Sequence, residues 1–138
     1  MTVGILIITH NNIGDALLHS AVSTMGGVCP LHIKTLSVTN SGDRDALQQK
    51  AEQMVLDLNT GMGVLVMTDI YGSTPGNIAT SLANDEAINV LAGVNLPMLI
   101  KVFNYPQLDL ISMMNKALIG AQESIIMCKL EDHQTESS

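Results

Sequence analysis

The sequence predicts an α/β fold, with a doubly wound, flavodoxin-like parallel sheet of strand order 2-1-3-4. Short apolar runs rich in β-branched residues alternate with segments of helical spacing along most of the chain. The runs are apolar on both faces, which is typical of parallel strands that helices cover on each side. Because parallel neighbours need right-handed crossovers, the intervening segments are expected to place helices on both faces of the sheet.

The first half of the chain contains three of the predicted strands and two of the predicted helices. Gly26-Gly27 closes the first helix, and Ser41-Gly42-Asp43 opens the second, which runs to Leu58. The other elements of this half are a strand at 3–9, the first helix at 14–25, a strand at 31–38 and a strand at 63–68.

The sequence of the second half of the chain predicts a third helix, a fourth strand and two further helical segments. Thr74 is the expected N-cap of the third helix, with Pro75 at its first position and its end at Leu82 or Ala83. The remaining elements are a strand at 87–94, helical segments after Asn95 and at 108–121, and a last short strand at 124–130. We therefore predict a single domain at 1–130, followed by a polar tail at 131–138.

Composition and charge narrow the functional classes. Six Lys and Arg against thirteen Asp and Glu give a net charge of −7, and the basic residues are scattered. This distribution argues against nucleic-acid binding, which needs clustered positive charge. The sequence has neither a signal peptide nor an apolar stretch approaching the roughly 20 residues of a membrane helix, so a cytoplasmic protein is expected. Cys29 and Cys128 lack a C-x-x-C spacing and are predicted to be buried free thiols.

The expected reactive residue is His10, which follows the first predicted strand. In the order 2-1-3-4, the crevice at the topological switch point lies between strands one and three, and Asp69 follows strand three. The Asp69 carboxylate is then expected to accept a hydrogen bond from Nδ1–H of His10. This leaves Nε2 as a neutral nucleophile.

A second part of the expected site is the turn into the third helix. Gly72, Ser73 and Thr74 lie there, and unpaired amides, two hydroxyls and the positive end of the helix dipole favour an anion such as a phosphoryl group. Taken singly, each feature also has a structural explanation: His10 as a solvated loop residue, Asp69 as a turn carboxylate, and the hydroxyls as a helix cap. Their convergence on one crevice favours a functional site.

No cofactor and no metal are expected. The sequence has no cluster of His, Cys and Glu with metal-ligand spacing and no G-x-x-x-x-G-K-[ST] nucleotide loop. The other histidines lie away from the predicted switch point and are interpreted as structural or solvated; they are His19, His32 and His133.

Three sequence blocks resemble one known family: GILIITH at 4–10, TDIYGSTPGN at 68–77 and AGVNLPML at 92–99. Together they resemble the IIA component of the mannose family of the bacterial phosphoenolpyruvate-dependent sugar phosphotransferase system (PTS). The resemblance runs from residue 1 to about residue 128.

The resemblance implies that His10 accepts a phosphoryl group from the phosphohistidine of the carrier HPr and passes it to a IIB component. It also implies a homodimer in which the last strand, expected to be antiparallel, crosses to the partner. Asp69 would orient the imidazole, and Ser73, Thr74 and nearby amides such as that of Gly72 would stabilise the phosphoryl oxygens. The expected crevice rim consists of Asn11, Tyr71, Asn95 and Pro97.

Several alternatives remain open at this point. The phosphoryl group could serve as a regulatory signal to a target protein instead of passing to IIB. Because the sequence ends without a IIB domain, the acceptor is expected to be a separate polypeptide, with membrane contact only through a transporter complex. A tetrapyrrole metal chelatase-like protein would use His10 as a ligand, but the second histidine that it needs at a later strand end is missing. A non-catalytic regulatory binding domain is the other alternative.

A response-regulator receiver is disfavoured by the residues after the first strand. Such a domain needs an acidic pair for magnesium, where this chain has Thr9, His10 and Asn11.

Overall fold

A computed structural model describes residues 1–130, and the predicted tail at 131–138 lies outside the described residues. A 3₁₀ turn, Leu82–Asn84, follows the third helix. The helices and strands are, in chain order, β1 (Gly4–His10), α1 (Ile13–Thr24), β2 (Ile33–Val38), α2 (Arg44–Leu58), β3 (Val64–Thr68), α3 (Thr74–Ser81), β4 (Ile88–Ala92), α4 (Leu96–Phe103) and α5 (Leu110–Glu123).

The strands form one parallel sheet in the order β2-β1-β3-β4, which confirms the predicted fold. β1 has β2 on one side and β3 on the other. His10 is level with Val38 of β2, and Ile8 is level with Thr68 of β3. The carboxyl ends of β1 and β3 therefore lie side by side, which brings His10 and Asp69 to one edge of the sheet.

Alternate strand residues contribute to two separate cores, one on each face of the sheet. On one face, Ile5, Ile7 and Met67 pack with residues of α1, α4 and α5. On the other face, Leu6 and Ile8 pack with residues of α2 and α3. All five of these side chains are fully buried. Packing in the two cores holds β1 in place as far as Ile8. The buried Thr9 and the half-buried His10 follow directly.

Two predicted features differ in the structure. His10 is the last residue of β1 rather than the first residue after the strand, so backbone pairing anchors it. Residues 125–129, within the predicted last strand, have no regular secondary structure, and the sheet formed by residues 1–130 has four strands. Exchange of this segment with a second copy stays a prediction.

The prediction that the thiols are buried is wrong. Cys29 and Cys128 are both free and exposed. Cys29 lies in the loop between α1 and β2, and Cys128 lies in the irregular segment after α5. Neither residue belongs to an element that packs against the sheet, so the apolar residues beside them in the sequence do not bury them.

The start of α3 lies close against the loop that follows β3. A Cβ atom at position 76 would overlap the carbonyl oxygen of Ile70 and lie 3.2 Å from the hydroxyl oxygen of Ser73. Glycine alone permits this approach without a shift of the backbone. Gly76 therefore fixes the beginning of α3 relative to Asp69 and the residues after it.

The substitution Gly76→Ala is expected to lower the free energy of unfolding by about 1 to 2 kcal/mol. The cost of the backbone shift that relieves the overlap with Ile70 is expected to exceed the gain from the better helix propensity of alanine. Denaturant unfolding measures the change. Gly42→Ala in the loop before α2 is the matched control, since the one overlap of a Cβ there is with the terminal methyl group of the Leu47 side chain, which can rotate away. The control is expected to stay within about 1 kcal/mol of wild type. Equal destabilisation by both variants would contradict this explanation.

Candidate functional site

The turn between β1 and α1 holds His10 in a defined position. The buried hydroxyl oxygen of Thr9 accepts a hydrogen bond of 2.8 Å from the amide of Gly14, in the first turn of α1. Asn11 adopts the left-handed conformation with a φ of 48°, which asparagine tolerates better than most residues. Its amide donates to the carbonyl of Val38 at 3.0 Å. The chain therefore reverses immediately after His10 without loosening the strand end.

The Asp69 carboxylate binds both the backbone amide and the ring of His10. Oδ2 of Asp69 accepts hydrogen bonds from the backbone amide of His10 at 3.0 Å and from Nδ1 at 2.8 Å. Oδ1 accepts from the amide of Ile70 at 3.0 Å. An ionised carboxylate can only accept hydrogen bonds, so Nδ1 carries the proton. When the ring is neutral, this tautomer leaves its lone pair on Nε2.

Opposing influences act on the pKa of the Asp69 carboxyl. Partial burial raises the pKa, whereas the hydrogen bonds from the His10 amide and ring and the ring's charge lower it; the lowering influences prevail. The pKa therefore lies below the usual aspartate range. Because the pKa of Asp69 is lower in the folded than in the unfolded state, the ionised carboxylate stabilises the fold at pH values above the ordinary, unfolded-state pKa. That contribution is lost as the pH falls through the folded-state pKa.

The two side chains of the pair differ in accessibility. The His10 side chain is 38% exposed, whereas that of Asp69 is only 10% exposed. A reactant can therefore reach the imidazole, while the carboxylate that orients it is shielded from solvent. This is the arrangement expected of a nucleophile with a buried orienting group.

The loop before α3 corrects one predicted detail: Ser73, not Thr74, is the N-cap. The Ser73 hydroxyl accepts a hydrogen bond from the Gly76 amide at 3.2 Å and donates one to the Ile70 carbonyl at 2.7 Å. Its proton is therefore already engaged. Thr74 is exposed, and its amide has no hydrogen-bond partner among residues 1–130. Gly72 makes the preceding turn with a φ of 82°.

His10 and Thr74 share a cavity of about 270 Å³ at the carboxyl edge of the sheet. Three of the polar side chains that line it were not singled out in the sequence as site residues: Thr39, Asn40 and Arg44. The signal that could have found them is the pairing of β1 with β2, because the loop after Val38 begins beside His10. The full lining consists of His10, Val38, Thr39, Asn40, Gly42, Arg44, Leu47, Thr74 and Pro75.

The predicted rim residues do not line this cavity. Asn11 and Tyr71 are exposed, the latter by 80%. Asn95 is the N-cap of α4, where its side-chain oxygen accepts a hydrogen bond from the Met98 amide at 2.9 Å. Pro97 is exposed in the first turn of the same helix. The structure thus gives Asn95 a local structural role.

The remaining histidines lie apart from the pair. His19 is exposed on α1, and His32 is exposed just before β2. His133 lies outside the described residues. Within residues 1–130, no group of three or more His, Cys, Asp or Glu side chains is arranged to hold a metal ion. No helix in this part of the chain is both long and apolar enough to cross a membrane.

Comparison with known proteins places this geometry in context. The family model EIIA-man, described as "PTS system fructose IIA component", matches residues 4–117. The chain is 37% identical over 84 residues to the PTS fructose-specific EIIA component of Bacillus subtilis, covering 59% of this chain and 58% of that protein. It is 31% identical over 102 residues to the PTS mannose-specific EIIAB component of Escherichia coli, covering 73% of this chain and 31% of that protein. The chain thus spans less than two thirds of the length of each relative.

Solved structures share the fold. The mannose/sorbose-specific IIA subunit from Enterococcus faecalis has a TM-score of 0.80 at 22% identity, with 94% of this chain and 97% of that chain covered. A PTS EIIA component from Streptococcus agalactiae has a TM-score of 0.76 at 24% identity, with 91% and 96% covered. At these identities the likeness concerns the fold.

The His10→Ala substitution is expected to raise the pKa of Asp69, because it removes the ring hydrogen bond and the ring's charge but keeps the backbone amide. NMR titration of the carboxyl carbons measures this change, starting from a midpoint below about 3.9 in wild type. Asp109 is the internal control, since the Ser112 amide lowers its pKa and His10 plays no part there. An Asp69 midpoint that does not move would mean that the ring does not bind the carboxylate in solution.

Proposed function

We propose, because the chain belongs to the EIIA-man family of PTS IIA components, that it is a phosphocarrier that accepts a phosphoryl group on His10. The single observation that carries the choice of acceptor is the 2.8 Å contact between Nδ1 of His10 and Oδ2 of Asp69. This contact supports a free Nε2 on a ring that lines an open cavity. The family supports a transferase role in the same system.

In the proposed step, the lone pair of His10 Nε2 attacks the phosphorus of the phosphohistidine of HPr. The Nε2–P bond forms while the N–P bond of the donor breaks, and the donor nitrogen keeps the electron pair. The His10 ring becomes positively charged, and the ionised Asp69 at Nδ1–H offsets this charge. Attack on the same phosphorus by an acceptor then regenerates the neutral ring.

The phosphoryl oxygens need hydrogen-bond donors near Nε2. In our proposal Thr74 supplies them through its amide and hydroxyl, since this residue lines the cavity with His10. Ser73 contributes by capping α3, because its hydroxyl proton is given to the Ile70 carbonyl. The amide of Gly72 is a further donor in the same turn. Catalysis is then mainly a matter of positioning and of charge stabilisation.

The proposed partners are HPr as donor and a IIB component or a regulatory target as acceptor, in the cytoplasm. The E. coli relative is named an EIIAB component, which supports the IIB acceptor. Asn11 and Tyr71 are exposed close to the pair in sequence and are assigned to the surface that meets these proteins. A homodimer is part of the proposal, supported by exposed apolar side chains after α5 that an exchanged strand would cover: Ile125, Ile126, Met127 and Leu130.

The His10→Ala variant is expected to lose all phosphate labelling by phosphoenolpyruvate, enzyme I and HPr, because the accepting nitrogen is gone. Acid-labile, base-stable phosphate on the chain measures the reaction. His19→Ala is the matched control, an exposed histidine on α1 that should label like wild type. Labelled His10→Ala, or unlabelled wild type with its cognate carrier, contradicts the proposal. Loss of label to an added IIB component assigns the acceptor, whereas retention in its presence favours a regulatory target.

The Asp69→Asn variant is expected to label at least about tenfold more slowly, since a neutral amide cannot offset the positive charge that develops on the ring. Rapid-quench measurement of the labelling rate tests this. Asp109→Asn removes an equal charge at the N-cap of α5 and should leave the rate unchanged. An unaltered rate in Asp69→Asn removes this residue from the mechanism.

A further inference from the structure

One wall of the His10 cavity is formed by the segment between β2 and α2. β2 ends at Val38, level with His10 in the sheet, and α2 begins at Arg44. This short connection carries Arg44 to the cavity of about 270 Å³ that His10 and Thr74 also line. Arg44 thus shares a cavity with the His10 ring, although 34 positions separate the two residues in the sequence.

Arg44 is exposed at the start of α2, and the interactions of its own helix do not favour an arginine there. Within residues 1–130, the Arg44 side chain has no ion pair and no hydrogen bond. As the first residue of α2, it also lies where the helix dipole disfavours a positive charge. The cap of this helix is supplied instead by Asp43, whose carboxylate accepts a hydrogen bond from the Asp45 amide at 3.0 Å.

A positive charge at position 44 would offset the negative charge of a phosphoryl group in this cavity. Arg44 is the one arginine of the sequence, in a chain of net charge −7. Among the described residues that line the cavity, it is also the sole side chain with a permanent positive charge. In the proposed phosphorylated state the positive charge of the ring is shared with the ionised Asp69 at Nδ1, and without Arg44 the other donors of the cavity to the phosphoryl oxygens on Nε2 would be neutral.

We infer that Arg44 is a phosphoryl-binding residue of this site, whose guanidinium donates hydrogen bonds to the phosphoryl oxygens during transfer to His10. The inference rests on the proposed function of His10. A guanidinium suits this task because it presents two parallel N–H groups to two oxygens of one phosphoryl group. It complements the amide and hydroxyl of Thr74, which lines the same cavity.

A small-molecule donor tests this contact without a partner protein. Phosphoramidate carries a protonated nitrogen at neutral pH. Attack by Nε2 on its phosphorus forms the N–P bond of phosphohistidine, and the nitrogen leaves as ammonia with the electron pair of the broken P–N bond. The labelling rate is measured against phosphoramidate concentration for wild type, Arg44→Ala, Arg44→Lys and Lys50→Ala. Lys50→Ala is the matched control, because it removes an equal charge from an exposed position on α2 that does not line the cavity.

We expect kcat/KM for phosphoramidate to fall by about 10- to 100-fold in Arg44→Ala, the range expected for loss of charge-assisted hydrogen bonds. Arg44→Lys should recover part of the rate, because the charge returns without the paired donors. Lys50→Ala should stay within about twofold of wild type. The backbone amide NMR spectrum of each variant checks that the fold is retained.

Two results would overturn the inference while leaving the proposed function intact. The first is an Arg44→Ala rate with phosphoramidate that equals that of Lys50→Ala. The second is a loss confined to HPr as donor, which would assign Arg44 to contact with the carrier protein. If wild type is labelled by neither phosphoramidate nor HPr, the proposed function itself fails, and the role of Arg44 falls with it.

Discussion

The site depends on one carboxylate oxygen that binds two groups of the same residue. Oδ2 of Asp69 accepts from both the amide and the ring of His10. The amide bond ties the carboxylate to the end of β1, and the ring bond sets the tautomer. Because both bonds end on one atom, the orientation of the imidazole follows from the position of the strand. The sheet, the loop after β3 and the chemistry of Nε2 meet at this atom.

Parallel pairing of β1 with β3 makes this arrangement possible. The register aligns Ile8 with Thr68, so that the next residues of the two strands emerge at the same edge. β2 pairs with the other side of β1 and directs its following loop to the same place. The carboxyl edge therefore gathers an aspartate, a histidine and an arginine from three segments that are distant in the sequence.

Much of the fold could be predicted because its causes are local. Runs such as 3–9 and 63–68 are apolar on both faces, and the strand order then places His10 beside Asp69. The pairing of β1 with β2 predicts that the loop after β2 begins beside His10, but which residue of that segment reaches the cavity, here Arg44, depends on the path of the loop. The choice of Ser73 over Thr74 as cap likewise depends on how closely Gly76 approaches Ile70. The segment after α5 lacks a pairing strand within residues 1–130, so its predicted pairing needs a second chain.

The doubly hydrogen-bonded carboxylate of Asp69 has a consequence for the thermodynamics of the proposed transfer. Both oxygens of Asp69 are engaged before any phosphoryl group arrives, Oδ2 by His10 and Oδ1 by the Ile70 amide. Freezing a side-chain rotor costs entropy, and here folding has already met that cost for the orienting group. The aspartate and the imidazole can therefore keep their rotamers as the new bond forms. The reorganisation that remains is that of solvent and of the exposed residues of the cavity. Temperature and viscosity are therefore expected to change the rate at which the donor binds more than the geometry of the His10–Asp69 pair.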